Sequence, residues 1–439
     1  MPRPRDLSAA RPTLFGASGP LRGTVRVPGD KSISHRALIC AAMASGRSRI
    51  EGLSQGGDVR STAAALRAMG VGIARGGDVF LVDGVGTGGL LQPEAALDMG
   101  NSGTSARLLM GLAASHPVAA AFAGDPSLSS RPMERVAAPL RRIGAEVATA
   151  AGRLPLLVRG LCPAVPLTHR MAIPSAQVKS ALLLAALNIP GVTRIVEPVP
   201  TRDHSERLLK LFGADIAVAG EEIAIRGEAE LRPQVLTVPG DPSAAAFLVV
   251  AALIVPGSEL AIEGVGMNPS RTGLFELLRE MGGDIAVSNR SETGGEPVAD
   301  LLVRHSPLRG IEIPPEMAPR TIDEFPILFV AAAFAAGTTR TSGLGELRLK
   351  ESDRLAAMAE GLAAIGARVE QSGDGLIVAG TGGDPLAGGA RIDPRLDHRV
   401  AMSFAVSGLH CREPVTVADM TAADTSFPGF AALLESLQR

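Results

Sequence analysis

The segment KESDR places one carboxylate between two cations. Glu351 stands between Lys350 and Arg354 at the predicted start of a helix. A carboxylate in that setting is a candidate acid or base, because neighbouring cations adjust its pKa. A second acidic candidate is the pair Asp323 and Glu324, directly before a strongly apolar run. At that position a simple helix N-cap is an equally acceptable interpretation.

Cations also stand where apolar, helix-like segments begin. Lys31, Arg36 and Arg107 lie at or just inside such starts. A cation at the positive end of a helix dipole is unfavourable unless an anion lies beside it. The placement therefore predicts an anion-binding site. Further basic residues stand in short segments bounded by Pro or Gly, where solvated surface charge is the alternative; they are Arg131, Arg135 and Arg202.

Composition and motifs exclude several classes of function. A formal net charge of −2 and the absence of Trp and Tyr argue against a nucleic-acid or membrane-surface protein. Cys40, Cys162 and Cys411 lack the spacing of a disulfide framework or a zinc site. The histidines are not spaced as metal ligands, no nucleophile elbow occurs, and the Gly-rich stretches lack the Lys of a P-loop. The sequence thus predicts no metal site.

The chain start and the apolar runs bear on location. The first dozen residues, MPRPRDLSAARP, are basic without an apolar core, so we expect an unstructured start and not a signal peptide. The longest apolar runs, such as 327–336, are too short to span a bilayer. Together with the cysteine usage, these features predict a soluble protein of the reducing cytoplasm.

Two families of helix-like segments alternate along the chain. Members of one end in Gly before a strand, as in LRRIGAEV and LLKLFGADI, and Gly suits the left-handed position that ends a helix. Members of the other are apolar nearly all round and recur about every 70 residues. They are HRALICAAMAS, SARLLMGLAAS, QVKSALLLAAL, SAAAFLVVAAL, PILFVAAAFAA and HRVAMSFAVSG. The predicted repeat is β-α-β-α-β-β, copied six times with a truncated last copy.

Length and pattern predict two domains. A chain of 439 residues suggests two domains of roughly 200 residues each. Helices that are apolar on all sides favour two closed threefold bundles over a solenoid. The break Pro-Gly-Asp occurs in both VPGDKS and VPGDPS, which places the crossovers near Gly29 and Gly240. We expect one domain of residues 29–240 and a discontinuous one of residues 1–28 plus 241–439.

Segments spread in order over most of the chain resemble the 5-enolpyruvylshikimate-3-phosphate synthase family. They are PGDKSISHRAL, GNSGTSARLL, RPMERV, SAQVKSALLLA, TRDHSERLL, IDEFPILFVAAAFA, LRLKESDRL and LDHRVAMSF. The sequences of the segments SAQVKSA, TRDHSE and TSFP are similar to those of the second, bacterial class of this family. The resemblance implies an α/β (α+β) fold of two domains, each with three βαβαββ repeats around buried parallel helices. This is an inside-out α/β barrel with the active site in the cleft between the domains.

The resemblance also implies the reaction. The enzyme would transfer the enolpyruvyl group of phosphoenolpyruvate to the 5-hydroxyl of shikimate 3-phosphate, in aromatic amino-acid biosynthesis. Asp323 would accept the hydroxyl proton, Glu351 would be the acid/base at the methylene carbon, and Lys31 would contact both substrates. The implied shikimate 3-phosphate residues are Lys31, Ser32, Arg36, Ser175, Gln177, Arg202, Asp323 and Lys350. The implied phosphoenolpyruvate residues are Lys31, Gly103, Arg131, Gln177, Arg354 and Arg399. We expect a monomer that needs neither a metal nor a redox cofactor.

One position departs from the family pattern. The first class of the family carries a Lys just before its Thr-Phe-Pro, whereas Thr425 stands there in TAADTSFP. One phosphate-binding cation is then absent or replaced, which leaves the phosphoenolpyruvate site the least defined part of the expectation.

Two other interpretations compete. UDP-N-acetylglucosamine enolpyruvyl transferase shares the repeat and the donor, but its mobile loop carries a Cys that DPSLSSRPMER lacks. A non-catalytic repeat protein that binds anionic metabolites is the alternative from another class. The retention of both Asp323 and Glu351 argues against it, because carboxylates beside an anion site weaken binding unless they transfer protons.

Gly103 generates a prediction about inhibition. Glyphosate-tolerant members of the second class resemble this chain but carry Ala at that place, where the methyl group crowds the inhibitor. We therefore expect glyphosate to inhibit the protein, and Gly103→Ala to raise the inhibitory concentration. Inhibition curves for the two proteins side by side check this, and equal tolerance would contradict it.

Overall fold

The computed structural model describes residues 12–17 and 19–438. The predicted unstructured start, apart from Pro12, lies outside these residues. The α-helices of the described chain are α1 (Lys31–Met43), α2 (Gly57–Ala68), α3 (Gly103–Ala114), α4 (Pro126–Ser130), α5 (Glu134–Arg142), α6 (Ala176–Ala186), α7 (His204–Leu211), α8 (Pro242–Ile254), α9 (Gly273–Glu280), α10 (Ala318–Thr321), α11 (Phe325–Phe334), α12 (Arg354–Ala364), α13 (His398–Gly408) and α14 (Phe430–Leu437). Short 3₁₀ helices cover Pro315–Met317, Gly345–Leu349 and Thr421–Thr425.

The strands follow the same order along the chain. They are β1 (Thr13–Phe15), β2 (Arg22–Arg26), β3 (Ser45–Glu51), β4 (Gly72–Gly76), β5 (Val79–Val85), β6 (Leu97–Asp98), β7 (Ala119–Ala123), β8 (Glu146–Ala150), β9 (Arg153–Arg159), β10 (Thr168–Arg170), β11 (Val192–Val196), β12 (Asp215–Ala219), β13 (Glu222–Arg226), β14 (Val235–Thr237), β15 (Glu259–Gly266), β16 (Asp284–Thr293), β17 (Glu296–Arg304), β18 (Thr338–Arg340), β19 (Arg368–Ser372), β20 (Gly375–Ala379), β21 (Leu386–Gly388), β22 (Arg391–Ile392), β23 (Cys411–Glu413) and β24 (Val415–Val417).

The chain divides into two compact units, each with its own hydrophobic core. The second unit comprises Pro28–Asp241 together with Ser291–Val298. The first unit comprises the described residues up to Val27, Pro242–Arg290, and the described residues from Ala299 onward. The chain passes from one unit to the other beside each of the two Pro-Gly-Asp breaks.

The second unit contains three sheets of one design. Their strand orders are β14-β3-β5-β4, β6-β7-β9-β8 and β10-β11-β13-β12. In each sheet the first pair of strands is parallel and the next two pairs are antiparallel. A parallel pair needs a crossover, which α3 supplies between β6 and β7 and α6 supplies between β10 and β11. This is the predicted βαβαββ repeat, with β14 returning to complete the first copy.

The first unit repeats the design with more variation. The sheet β16-β17-β15-β2 has the same order, and β18-β20-β19 has three strands. The last copy is short, with β1 antiparallel and β22 parallel to β24. Within the described residues the sheets remain separate and none closes on itself. The two-domain α/β fold is confirmed, with helices inside and open sheets instead of a closed barrel.

The two predicted helix families are both present. The apolar family forms α1, α3, α6, α8, α11 and α13, whose interiors are buried. In the other family, Gly144 and Gly213 follow α5 and α7 with φ of 100° and 92°. That left-handed backbone is what favours Gly at a helix end. No helix among the described residues has the length and apolar character to cross a membrane.

Close packing of α3 on α6 depends on Gly111. A Cβ at that position would lie 2.1 Å from the Ala181 carbonyl oxygen and 2.6 Å from its Cα. Because backbone atoms cannot move aside cheaply, we expect Gly111→Ala to lower the free energy of unfolding by about 3 kcal/mol. Urea unfolding measures the change.

Gly345 provides the matched control for this substitution. The atoms nearest to its added Cβ are those of the Asp374 side chain, at 4.0 Å. We expect Gly345→Ala to change stability by less than about 1 kcal/mol. An equal effect of the two substitutions would mean that contact between α3 and α6 is not the cause.

Candidate active site

In the second unit, Lys31 is the first residue of α1. Asp30 caps this helix by accepting the Ile33 backbone N–H at 2.8 Å. The Lys31 backbone N–H donates to Asp241 Oδ2 at 3.1 Å, and its Nζ lies 3.0 Å from Asp58 Oδ2. Asp241 therefore compensates the positive end of the helix, and Asp58 compensates the ammonium group. Placement of a cation at a helix start does not by itself require a ligand here, because the fold supplies the counter-charge.

Arg36 lies one turn further along α1 and is buried. Its Nε donates to Ser205 Oγ at 2.7 Å, and its Nη2 donates to Ser180 Oγ at 2.7 Å. Within the described residues it makes no ion pair. Burial lowers the pKa of the Arg36 guanidinium to about 10, against the opposing charges of Glu206 and Asp30. A buried cation held by hydroxyl groups is electrostatically incomplete, and an anionic ligand would complete it.

A second cluster joins the starts of α3 and α6. Arg107 Nη1 donates to Gln177 Oε1 at 2.9 Å, and Gln177 Nε2 donates to Thr104 Oγ1 at 3.0 Å. Arg107 Nη2 donates to the Pro132 carbonyl at 3.0 Å. The sequence predicted Arg107 as an anion-binding cation, whereas the structure uses its guanidinium to orient Gln177.

Gly103 lies between two guanidinium groups. A Cβ at this position would be 2.7 Å from Arg107 Nη1 and 3.2 Å from Arg131 Nη1. The Arg131 side chain is fixed by its own contacts, since its Nη2 donates to Asn101 Oδ1 at 2.5 Å and to Ser127 Oγ at 3.2 Å. An added methyl group would therefore displace at least one of the two cations.

The remaining predicted residues of the second unit lie at helix starts. Ser175 caps α6, with its Oγ accepting the Val178 backbone N–H at 3.4 Å. Ser32 is in the first turn of α1, and its carbonyl accepts from Arg36 Nη1 at 2.9 Å. Arg202 precedes α7, and its charge is among those that affect the pKa of Arg36. The starts of α1, α6 and α7 thus meet through hydrogen bonds to one guanidinium group.

In the first unit, one buried guanidinium binds three carboxylates. Arg354 Nη2 donates to Glu351 Oε2 at 2.5 Å, and its Nη1 lies 3.4 Å from Asp323 Oδ1. Lys350 Nζ also donates to Asp323 Oδ1, at 3.1 Å. The third carboxylate is Asp397, whose Oδ2 accepts from Arg354 Nε at 2.8 Å. The structure therefore brings together Asp323, Lys350, Glu351 and Arg354, although 31 positions separate Asp323 from Arg354.

Asp397 is a functional candidate that sequence reasoning missed. It is fully buried, caps α13 by accepting the Arg399 backbone N–H at 2.9 Å, and accepts from Ser352 Oγ at 3.1 Å. Burial opposes the Arg354 charge, but Asp397, Glu351 and Asp323 raise the pKa of the guanidinium above its ordinary value. The signal in the sequence was the helix start LDHR, where an ordinary cap was a sufficient explanation.

The N-cap interpretation of the pair at 323–324 does not hold. Glu324 stands at the N-cap position of α11, but its side chain makes no capping hydrogen bond. Instead it accepts from Ser243 Oγ, and Arg399 Nη1 lies 3.4 Å away. The same Nη1 donates to the Asp323 carbonyl at 2.8 Å. Arg399 therefore holds the backbone of the segment that carries Asp323.

The arrangement in the first unit can perform proton transfer. Asp323 and Glu351 each expose 16% of their side chains, whereas Arg354, which links them, exposes 1%. Two carboxylates that reach solvent and share a buried cation are held at fixed positions, where each could exchange a proton with a bound molecule. Within the described residues, no group of three or more His, Cys, Asp or Glu side chains could hold a metal ion.

Comparisons with known proteins agree with one another. The family model described as EPSP synthase (3-phosphoshikimate 1-carboxyvinyltransferase) matches residues 16–434. The 3-phosphoshikimate 1-carboxyvinyltransferase of Sphingopyxis alaskensis is 62% identical over 98% of this chain and 99% of its own. The enzyme of the same name from Novosphingobium aromaticivorans is 58% identical over 98% and 100%. Among solved structures, EPSP synthase from Acinetobacter baumannii has 42% identity and a TM-score of 0.87, covering 97% of this chain and 98% of its own.

The ion pair between Arg354 and Asp397 generates a stability prediction. Asp397→Ala removes both the α13 cap and a carboxylate from a buried cation, so we expect it to lower the free energy of unfolding by about 3 kcal/mol. Asp397→Asn, which keeps an acceptor, should cost less. Urea unfolding measures both variants. The control is Glu360→Ala, which breaks an exposed pair with Arg395 and should cost less than about 1 kcal/mol.

Proposed function

The chain belongs to the EPSP synthase family, and we propose that it transfers the enolpyruvyl group from phosphoenolpyruvate to the 5-hydroxyl of shikimate 3-phosphate. The observation that carries the proposal is the pair of carboxylates on one buried guanidinium, Asp323 and Glu351 on Arg354. The reaction needs one group that removes a proton from oxygen and another that exchanges a proton with carbon. The relatives named for this activity match nearly the whole chain.

The reaction proceeds by addition and then elimination. In addition, the 5-hydroxyl oxygen bonds to C2 of phosphoenolpyruvate, loses its proton, and the methylene carbon gains one. The product of this step is a tetrahedral adduct. In elimination, the methyl group returns a proton, the C2–phosphate oxygen bond breaks, and the vinyl double bond forms again. Inorganic phosphate and 5-enolpyruvylshikimate 3-phosphate leave, so no net oxidation or reduction occurs.

Three residues have proposed roles in these steps. Asp323 accepts the hydroxyl proton, supported by its position between Lys350 and Arg354. Glu351 exchanges the proton with the methylene carbon. Lys31 contacts both substrates and stabilises charge as it forms. Since Lys31 Nζ lies 3.0 Å from Asp58 Oδ2, substrate binding must share or replace this contact.

Two substrates rich in negative charge need several cations. Arg is suited to phosphate and carboxylate because its planar guanidinium makes paired hydrogen bonds. The proposed shikimate 3-phosphate residues are Lys31, Ser32, Arg36, Ser175, Gln177, Arg202, Asp323 and Lys350. The proposed phosphoenolpyruvate residues are Lys31, Gly103, Arg131, Gln177, Arg354 and Arg399.

Thr425 cannot supply the cation that the first class of the family carries at this position. Its Oγ1 donates to the Ala422 carbonyl at 2.8 Å, within a 3₁₀ helix. We propose that the phosphate of phosphoenolpyruvate is held by the Arg residues named above, without a Lys from this segment.

The proposed setting is a monomer in the cytoplasm. Cys40, Cys162 and Cys411 are free thiols, and burial raises the pKa of Cys40 and Cys411 to about 12. Free thiols are typical of a reducing compartment. Light scattering of the purified chain, with and without substrates, tests the monomer.

Phosphate release tests the activity. We expect release from phosphoenolpyruvate with shikimate 3-phosphate and none with UDP-N-acetylglucosamine. Lys31→Ala should lower kcat/KM at least about 100-fold without unfolding the protein, because it removes a charge that acts in the transition state. Glu351→Gln should lower kcat by a similar factor. The matched control is Lys210→Ala, an exposed lysine, which should keep wild-type rates. A wild-type protein that releases no phosphate with shikimate 3-phosphate would refute the proposal.

A further inference from the structure

The turn between β16 and β17, with the adjoining ends of the two strands, belongs to a different compact unit from the rest of these strands. Residues Ser291–Val298 pack with the second unit, whereas the strand residues up to Arg290 and from Ala299 onward pack with the first. We call residues 291–298 the hairpin tip.

A buried pair holds the hairpin tip. Glu296 Oε1 lies 2.6 Å from His204 Nδ1, and the two side chains expose only 1% and 2%. The residues are 92 positions apart. A contact this short between buried polar groups is specific, because either group left without its partner would remain desolvated.

Arg207 attaches the tip a second time. Its Nη1 donates to the Gly295 carbonyl at 3.1 Å, its Nε lies 3.9 Å from Glu296 Oε2, and the same Nε donates to Asp203 Oδ2 at 2.7 Å. His204 and Arg207 of α7 thereby contact the hairpin tip, and Arg207 also contacts the N-cap residue Asp203. The first turn of this helix depends on a segment that is remote in sequence.

That first turn carries the groups that arrange the shikimate 3-phosphate residues. Ser205 Oγ accepts from Arg36 Nε at 2.7 Å, and Arg202 stands two residues before His204. Arg36 and Arg202 both belong to the proposed shikimate 3-phosphate set. Neither belongs to the proposed phosphoenolpyruvate set. A shift of the α7 start would therefore affect one substrate more than the other.

The geometry points to Glu296 as a positioning residue for the shikimate 3-phosphate site, acting through His204 and the start of α7. This inference rests on the proposed function. Glu296 touches neither substrate in this scheme. It keeps Arg36 and Arg202 in position by anchoring the helix turn that carries Ser205.

The test compares Glu296→Ala, Glu296→Gln and Glu292→Ala. We expect Glu296→Ala to raise KM for shikimate 3-phosphate about tenfold and KM for phosphoenolpyruvate less than about twofold, because the displaced groups serve the first substrate. Glu296→Gln keeps an oxygen that can accept from the His204 ring and should fall between the wild type and the Ala variant. Glu292, exposed on the same hairpin tip, is the control and should behave as the wild type.

A purely structural role predicts a different outcome. Lower thermal stability with both KM values unchanged, or both raised equally, would overturn the inference, as would wild-type kinetics for Glu296→Ala. If that variant does not fold, Glu296→Gln decides, since a selective rise in KM is still required of it. Calorimetric titration of the folded variants with shikimate 3-phosphate alone should show the same order of affinities. A wild-type protein without activity refutes both the function and the inference, whereas an active wild type with unselective variants refutes only the inference.

Discussion

Complete burial of the repeat helices constrains where this protein can place polar chemistry. The helix α8 is buried from Pro242 to Ile254, and α11 is buried from Phe325 to Phe334. Buried helices can carry few charged groups along their length, because an unpaired charge in a core is strongly destabilising. Polar groups are therefore concentrated at the helix starts, where backbone N–H groups already need acceptors. The positions of Lys31, Gln177 and Arg399 at or near helix starts follow from this one constraint.

The buried guanidinium groups of Arg354 and Arg36 are stabilised in opposite ways. Arg354 binds three carboxylates, one of them the fully buried Asp397, so its charge is balanced within the protein. Arg36 donates to two hydroxyl groups and a carbonyl, and burial lowers its pKa. Carboxylates that are to transfer protons gain a fixed position from a permanent cation. In the proposed scheme Arg36 binds shikimate 3-phosphate, and the hydroxyl groups that orient its guanidinium leave more of its charge to attract the ligand than carboxylates would.

The candidate site residues of both units depend on supporting residues that hold their side chains and backbone in place. Asp397 orients Arg354, Arg107 orients Gln177, and Arg399 holds the Asp323 carbonyl. Each contact removes freedom from a side chain or loop that the proposed reaction uses, which is how a site is kept in a productive geometry before substrate binds. The hairpin tip extends this principle, because its Glu296 acts on a helix turn and not on a ligand.

Local patterns in the sequence were enough to predict the repeat, the alternating helix families and the glycines that end helices, such as Gly144 and Gly213. The physical reason is that helix periodicity, caps and left-handed ends act between residues a few positions apart. The cluster of Lys350, Glu351 and Arg354 could be recognised in the sequence for the same reason.

Only the tertiary structure decided which carboxylate pairs with which basic side chain. The partner of Arg354 is 43 positions away at Asp397, that of Lys31 is 27 positions away at Asp58, and that of His204 is 92 positions away at Glu296. These pairs form between residues that are remote in sequence, so the Asp or Glu concerned carries no local pattern that identifies its partner. The sequence alone therefore determined what kinds of groups stand at the helix starts, while folding determined their pairing, because pairing depends on distances that only the packed helices set.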